Sequence, residues 1–212
     1  MENDKSSTVP WAWIKCVNHI VESQVPRSVC LPVELLPWLL LSDQVTVQDT
    51  RLLKMLRVTH VMTMNPIPPH QLEDLASKLT AVGIPHKYSP GEDDEEYDMI
   101  GEHWSSCREF LLEARNKGGK VVVHCAAGMN RSAVIACAAH MILEREPVLD
   151  VVHNCVDKRR GFVLSNRSFR RQLCLLAAAE GLLGQKPAGF DDDPIEKAIT
   201  KPPPKHALWW LT

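Results

Sequence analysis

Lys120–His124 (KVVVH) is the segment that leaves this chain the fewest folding options. Three consecutive valines, with no polar residue alternating between them, describe a strand covered on both faces. That is the pattern of an interior strand in a parallel sheet. A tight glycine-containing loop follows, Cys125–Ser132. Then comes Ala133–Leu143, which is apolar nearly all round except for His140 and so predicts a buried helix. A strand and a helix that both bury every face require other layers on each side of a sheet.

The rest of the chain supplies those layers. Leu36–Leu41 (LPWLLL) predicts a strand, and Thr46 is placed to cap a helix carrying Val47, Leu52, Leu53, Met55 and Leu56. Thr59–Met64 predicts another strand, stopped by Asn65-Pro66 and Pro68-Pro69. A helix over Gln71–Val82 ends at Gly83, and His86–Ser89 predicts a short strand. Behind the acidic loop Gly91–Asp98, residues Ile100, Trp104, Cys107, Leu111 and Ala114 fall at helical spacing, and Gly118-Gly119 ends that element. Two further helices are predicted over Val148–Lys158 and Ser165–Leu183. The alternation implies an α/β fold, with a central, mostly parallel sheet flanked by helices. By composition, residues 1–30 read as an N-terminal extension, 31–183 as the domain, and 184–212 as a Pro-rich tail whose Trp209-Trp210 pair packs back onto it.

Composition bounds the function. With 45% hydrophobic and 24% charged residues over 212 positions, the chain has ordinary globular proportions. A net charge of −2 argues against a nucleic-acid surface. Its longest apolar runs are too short to span a membrane. The polar opening MENDKSSTVP is not expected to act as a secretory signal, and Glu at position 2 excludes N-myristoylation. The seven scattered cysteines show no CxxC or Cys/His ligand spacing, so neither a disulfide framework nor a metal site is expected. A reduced cytoplasmic protein with possible nuclear access is the simple reading. Cys107 and Cys137 lie on apolar helix faces and are expected to be buried thiols.

The chemical centre is His124-Cys125-Ala126-Ala127-Gly128-Met129-Asn130-Arg131-Ser132. A buried strand running into a short loop over a helix N-terminus turns backbone N–H groups inward, making a nest suited to a phosphate dianion. Ala126, Ala127, Gly128, Met129, Asn130 and Arg131 would line that nest. The same field favours a thiolate, so Cys125 is the candidate nucleophile for in-line attack on phosphorus. Arg131 offers a planar cationic fork for two phosphate oxygens. Ser132 can donate a hydrogen bond to the sulfur as it leaves, and His124 can orient the loop.

HC-x5-R-[ST] at a strand-to-helix junction resembles the active-site loop of the protein tyrosine phosphatase superfamily, and HCAAGMNRS is similar to its dual-specificity branch. The resemblance implies a protein phosphatase acting on phosphotyrosine and phosphoserine/phosphothreonine through a cysteinyl-phosphate, with phosphoproteins as partners and no metal or cofactor. It also implies a general acid in a pattern like D-x-x-x-[FY]-D-[LIM], which Asp93–Met99 (DDEEYDM) matches. Asp93 then takes the acid role, with Asp94 as runner-up, and Asp98 caps a helix. Asn166 stands where the family has an asparagine bracing the loop. Ser165 and Ser168 depart from the family's commoner proline and glycine.

Three other readings remain open on the same loop. Phosphoinositide phosphatases carry basic loop residues, which are absent here. RNA 5′-triphosphatases share the Asn130-Arg131 pair but follow it with Thr-Gly. Phosphate-binding scaffolds lose the nucleophile or the arginine. Lys158, Arg159 and Arg160 read as a solvated basic helix end, and Cys30 as a possible resolving thiol for an oxidised Cys125.

Overall fold

The computed structural model describes residues 9–194, apart from Pro26, Ser28, Val29 and Arg160, so the expectations for Arg160 and Trp209-Trp210 lie outside the described residues. Five strands form one sheet: β1 (Val33–Leu36), β2 (Leu39–Asp43), β3 (His60–Thr63), β4 (His86–Tyr88) and β5 (Val121–Cys125), in the order β1-β2-β5-β3-β4. All neighbours are parallel except the β1–β2 hairpin. The expected single strand over Leu36–Leu41 is therefore two strands. Pro37 cannot donate to a ladder, and the chain turns at Pro37-Trp38.

KVVVH sits at the centre, with period-two alternation between two cores. Val121 and Val123 face a large core built with α1 (Trp11–Glu22), α4 (Met99–Asn116), α5 (Arg131–Glu144), α6 (Val148–Arg159) and α7 (Arg167–Ala179). Val122 faces a smaller core with Leu53 of α2 (Thr50–Met55) and with Leu75 and Leu79 of α3 (Pro69–Ala81). Helix α5 is buried from Ser132 to Ile142, as its unbroken apolar sequence requires. His140, the exception, lies 3.0 Å from Glu146 Oε2.

Local capping decides several helix starts differently from expectation. Thr46 begins only a 3₁₀ turn, because Asp43 Oδ1 accepts from its N–H. Asp49 instead caps α2, accepting from Arg51 N and Leu52 N at 3.0 Å each. Helix α7 starts two residues after Ser165, with Asn166 as its cap. Residues 11–22, read from sequence as part of an extension, place Ile14, Val17 and Val21 in the large core.

Candidate active site

Strand β5 ends at Cys125 on the carboxyl edge of the sheet, the place where open α/β sheets present ligands, and α5 begins at Arg131. Between them the loop carbonyls are all drawn outward. Ala126 O accepts from Gln44 N at 3.3 Å and Met129 O from Leu164 N at 2.8 Å. Arg159, at the end of α6, donates Nη2 to Ala127 O at 3.3 Å and Nε to Gly128 O at 3.2 Å. In a trans peptide the carbonyl and the following N–H point oppositely, so the N–H groups of Ala127, Gly128, Met129 and Asn130 turn inward. Gly128 has φ +63°, and a Cβ there would lie 2.6 Å from Ser42 O, so the loop closes against β2 only with glycine.

Cys125 is 2% exposed at the floor of this ring. Burial by itself pushes its thiol up. Hydrogen bonds from the Ser132 hydroxyl and from the Ser132 and Met129 amides, with the charge of Arg131, outweigh that and hold it below the ordinary thiol range. The Ser132 Oγ–Cys125 Sγ distance is 3.1 Å. Other thiols go the opposite way: burial drives Cys107 up to about 11 and raises Cys174, and Cys137 is raised by its contact with Cys155. The ring therefore singles out one cysteine chemically. Cys30 is exposed and free, and no bond joins it to Cys125 among the described residues.

His124 lies on the far side of the same strand end, fully buried. Its Nε2 is 2.6 Å from Thr63 Oγ1, which is 2.8 Å from His86 Nε2. Burial, with His86 nearby, pushes the His124 ring down to about 3 against smaller pulls from the Cys125 backbone and Asp43. The ring is thus neutral at physiological pH, and it bonds one donor or acceptor on β3 rather than facing the substrate side.

Arg131 donates Nη1 to Gly91 O at 3.4 Å, and its Nε is buried without an acceptor among the described residues. Asp93 is brought to the same rim. Its Oδ2 accepts from Asn130 Nδ2 at 3.1 Å and its Oδ1 from Asn166 Nδ2 at 3.2 Å. Asn130 Oδ1 in turn accepts from Ser165 Oγ and from Asn166 N. Asp94 is engaged within its own loop, accepting from Glu96 N at 2.7 Å. Asp98 caps α4 through Gly101 N, as expected from sequence. Gln172 of α7 fixes the base of the acidic loop, donating to Tyr97 O at 2.7 Å and accepting from Ile100 N at 3.0 Å.

Two arginines whose structural role sequence reasoning missed hold the two loops in place. Arg159, read as a solvated helix end, is one of them. Arg170 is 3% exposed and donates to Leu164 O at 2.6 Å, Ser165 O at 2.9 Å, Asn18 Oδ1 at 2.9 Å and Glu22 Oε1 at 3.1 Å. It ties α1 to the segment that carries Asn166. Replacing Arg170 by Met leaves two backbone carbonyls and the Asn18 amide oxygen without this donor, while Glu22 keeps Arg167. The expected cost is about 2–4 kcal/mol of unfolding free energy, read as a lower urea midpoint at unchanged slope.

The sequence model of the family described as "Dual specificity phosphatase, catalytic domain" matches residues 39–178. The chain is 33% identical over 145 residues to Dual specificity protein phosphatase 2 of Mus musculus, covering 68% of this chain and 42% of that protein. It is 29% identical over 144 residues to Dual specificity protein phosphatase 26 of Bos taurus, covering 68% and 65%. The chain thus spans about two fifths of the length of the first of these relatives. Its fold is similar to the crystal structure of DUSP15, with TM-score 0.56 and 24% identity over 76% of this chain and 97% of that one. It is also similar to human DUSP28, with TM-score 0.57 and 18% identity over 72% and 98%. With the matched span running from the start of β2 into the last turn of α7, and with the loop, arginine and acidic rim assembled at one sheet edge, the chain belongs to the dual specificity phosphatase catalytic domain family.

Proposed function

We propose that this chain hydrolyses phosphate monoesters on phosphotyrosine and on phosphoserine or phosphothreonine of proteins through a cysteinyl-phosphate. The observation that carries the reading is a buried Cys125 whose thiolate is favoured inside a ring of inward N–H groups, beside an Arg131 Nε that has no acceptor among the described residues. The phosphate oxygens fit those donors. The thiolate attacks phosphorus in line, an S–P bond forms, and the P–O bond to the side chain breaks. Asp93, held at the rim by Asn130 and Asn166, gives its proton to the leaving oxygen. As carboxylate it then takes a proton from water, whose oxygen attacks phosphorus. The S–P bond breaks, the sulfur leaves as thiolate under the Ser132 hydroxyl, and inorganic phosphate is released.

The side chains of Ala126, Ala127, Met129 and Asn130 place no charge in the ring, which supports a single phosphate group over a polyphosphorylated one. A thiolate nucleophile must stay reduced, which supports a reducing compartment such as the cytoplasm, with nuclear access.

Asp93→Asn is the direct test of the acid. With para-nitrophenyl phosphate, kcat is expected to fall about 100-fold near the optimum. The high-pH limb, which reports the proton on the acid, is expected to vanish. His124 has its ring pushed down to about 3 and does not contribute that limb. Asp94→Asn is expected to retain both rate and profile. A swapped pair of outcomes would assign the acid to Asp94.

A further inference from the structure

We propose that Arg159 is a positioning residue for catalysis, orienting through its guanidinium fork the two peptides whose N–H groups serve the phosphate and the nucleophile. The inference rests on the proposed phosphatase reading and goes beyond it, since Arg159 touches neither substrate nor sulfur. Its Nη2 holds Ala127 O and its Nε holds Gly128 O. Those two carbonyls belong to the peptides whose N–H groups are those of Gly128 and Met129, and peptide planarity points these N–H groups into the ring. Met129 N–H is one of the donors that stabilise the Cys125 thiolate. A single planar side chain outside the loop therefore sets a donor at the phosphate position and a donor on the sulfur. Only arginine presents two N–H groups in the fixed spacing that two successive carbonyls require.

Three further features bear on this role. Among the described residues no carboxylate pairs with Arg159, whereas Lys15, Arg115 and Arg170 each have one. Its hydrogen bonds go to the loop instead. Gly161 leaves the room: a Cβ there would stand 2.9 Å from Arg159 Nη1. The neighbouring Leu164 N–H holds the next carbonyl, that of Met129, and adopts φ +54° to do so. Arg159 and Leu164 thus hold three consecutive loop carbonyls, and the arginine accounts for two of them. Without the fork, no other donor among the described residues holds the Ala127 and Gly128 carbonyls, and either peptide can rotate its carbonyl inward, where it would face a phosphate dianion.

The test uses the full chain with three variants: Arg159→Met, Arg159→Lys and Gly161→Ala. The last keeps the charge but crowds the guanidinium. Four readouts separate positioning from bulk stability: kcat and KM on para-nitrophenyl phosphate, the inhibition constant of inorganic phosphate, the pH dependence of Cys125 alkylation by iodoacetate, and the thermal midpoint. Arg159→Met is expected to lower kcat at least about tenfold, weaken phosphate inhibition at least about tenfold, and move the alkylation curve to higher pH. Arg159→Lys, able to reach one carbonyl at a time, is expected to recover only part of each effect, and Gly161→Ala is expected to show a milder form of all three. Should Arg159→Met not fold, the lysine and alanine variants carry the comparison.

Folded variants with kcat, phosphate inhibition and the alkylation curve all within twofold of wild type would overturn the proposal. So would full rescue by lysine, which would assign the role to charge alone. Alkylation and phosphate binding do not depend on turnover. A wild-type chain that binds phosphate but hydrolyses nothing would therefore contradict the phosphatase reading while still testing Arg159.

Discussion

Cys125→Ser is expected to abolish hydrolysis, with kcat reduced by about 10⁴-fold or more, while the protein stays folded and still binds inorganic phosphate. The substitution keeps size and hydrogen bonding but replaces a thiol whose anion the ring favours by a hydroxyl that the same field cannot ionise at neutral pH. The inward N–H groups and Arg131 remain, so the anion site survives the loss of the nucleophile. The variant is also expected to respond differently to pH. A thiol with a lowered pKa in the native state contributes stability that is fully present above the unfolded thiol's pKa of about 8.5 and is lost as pH falls through the folded value. The wild type is therefore expected to lose unfolding free energy relative to Cys125→Ser as pH drops across that window. Urea titrations of both proteins at a series of pH values measure it.

Arg131→Lys carries the second large effect. A lysine keeps the charge and loses the fork, so a change that conserves charge separates geometry from attraction. Among the described residues Arg131 Nε sits buried with no acceptor and Nη1 makes only a long contact to Gly91 O, an arrangement that leaves the guanidinium free for equatorial phosphate oxygens. These oxygens gain charge and spread toward trigonal geometry as the ester bond breaks, so the fork acts more strongly on the transition state than on bound substrate. The expected result is a fall of about 10³-fold in kcat with a smaller change in KM. A large rise in KM with kcat preserved would instead assign Arg131 to ground-state binding.

The parts of this fold that the sequence disclosed are those where a local pattern and a tertiary demand coincide. KVVVH has to be an interior strand, and it places Val122 in one core and its neighbours in the other. HCAAGMNRS encodes its own chemistry, because a glycine that must reach φ +63° against Ser42 O is visible as a glycine between Cys125 and Arg131. Asp98 and Gly83 act where their types predict. What stayed hidden depends on choices between near-equivalent residues. Thr46 and Asp49 are both capping types, and only the capture of the Thr46 N–H by Asp43 decides between them. Asp93 and Asp94 are adjacent carboxylates, and only Asn130 and Asn166 distinguish their surroundings.

Long-range contacts were beyond reach altogether. Arg159 in KRR is indistinguishable from a solvated charge until the loop carbonyls are seen beside it. Helix α1 falls in what the sequence reads as an extension, because its tie to the site runs from Glu22 and Asn18 through Arg170, some 150 positions away. The contacts of Thr63 with His124 and with His86 carry no sequence signal, since the three residues belong to different strands of the sheet.

The most direct measurement of the central claim is to quench the wild-type protein with acid during turnover of a phosphotyrosine peptide and map the bound phosphate by mass spectrometry. The account predicts phosphate on the peptide containing Cys125 and none in Cys125→Ser. Turnover at an undiminished rate in Cys125→Ser, or phosphate trapped on a different residue, would contradict it.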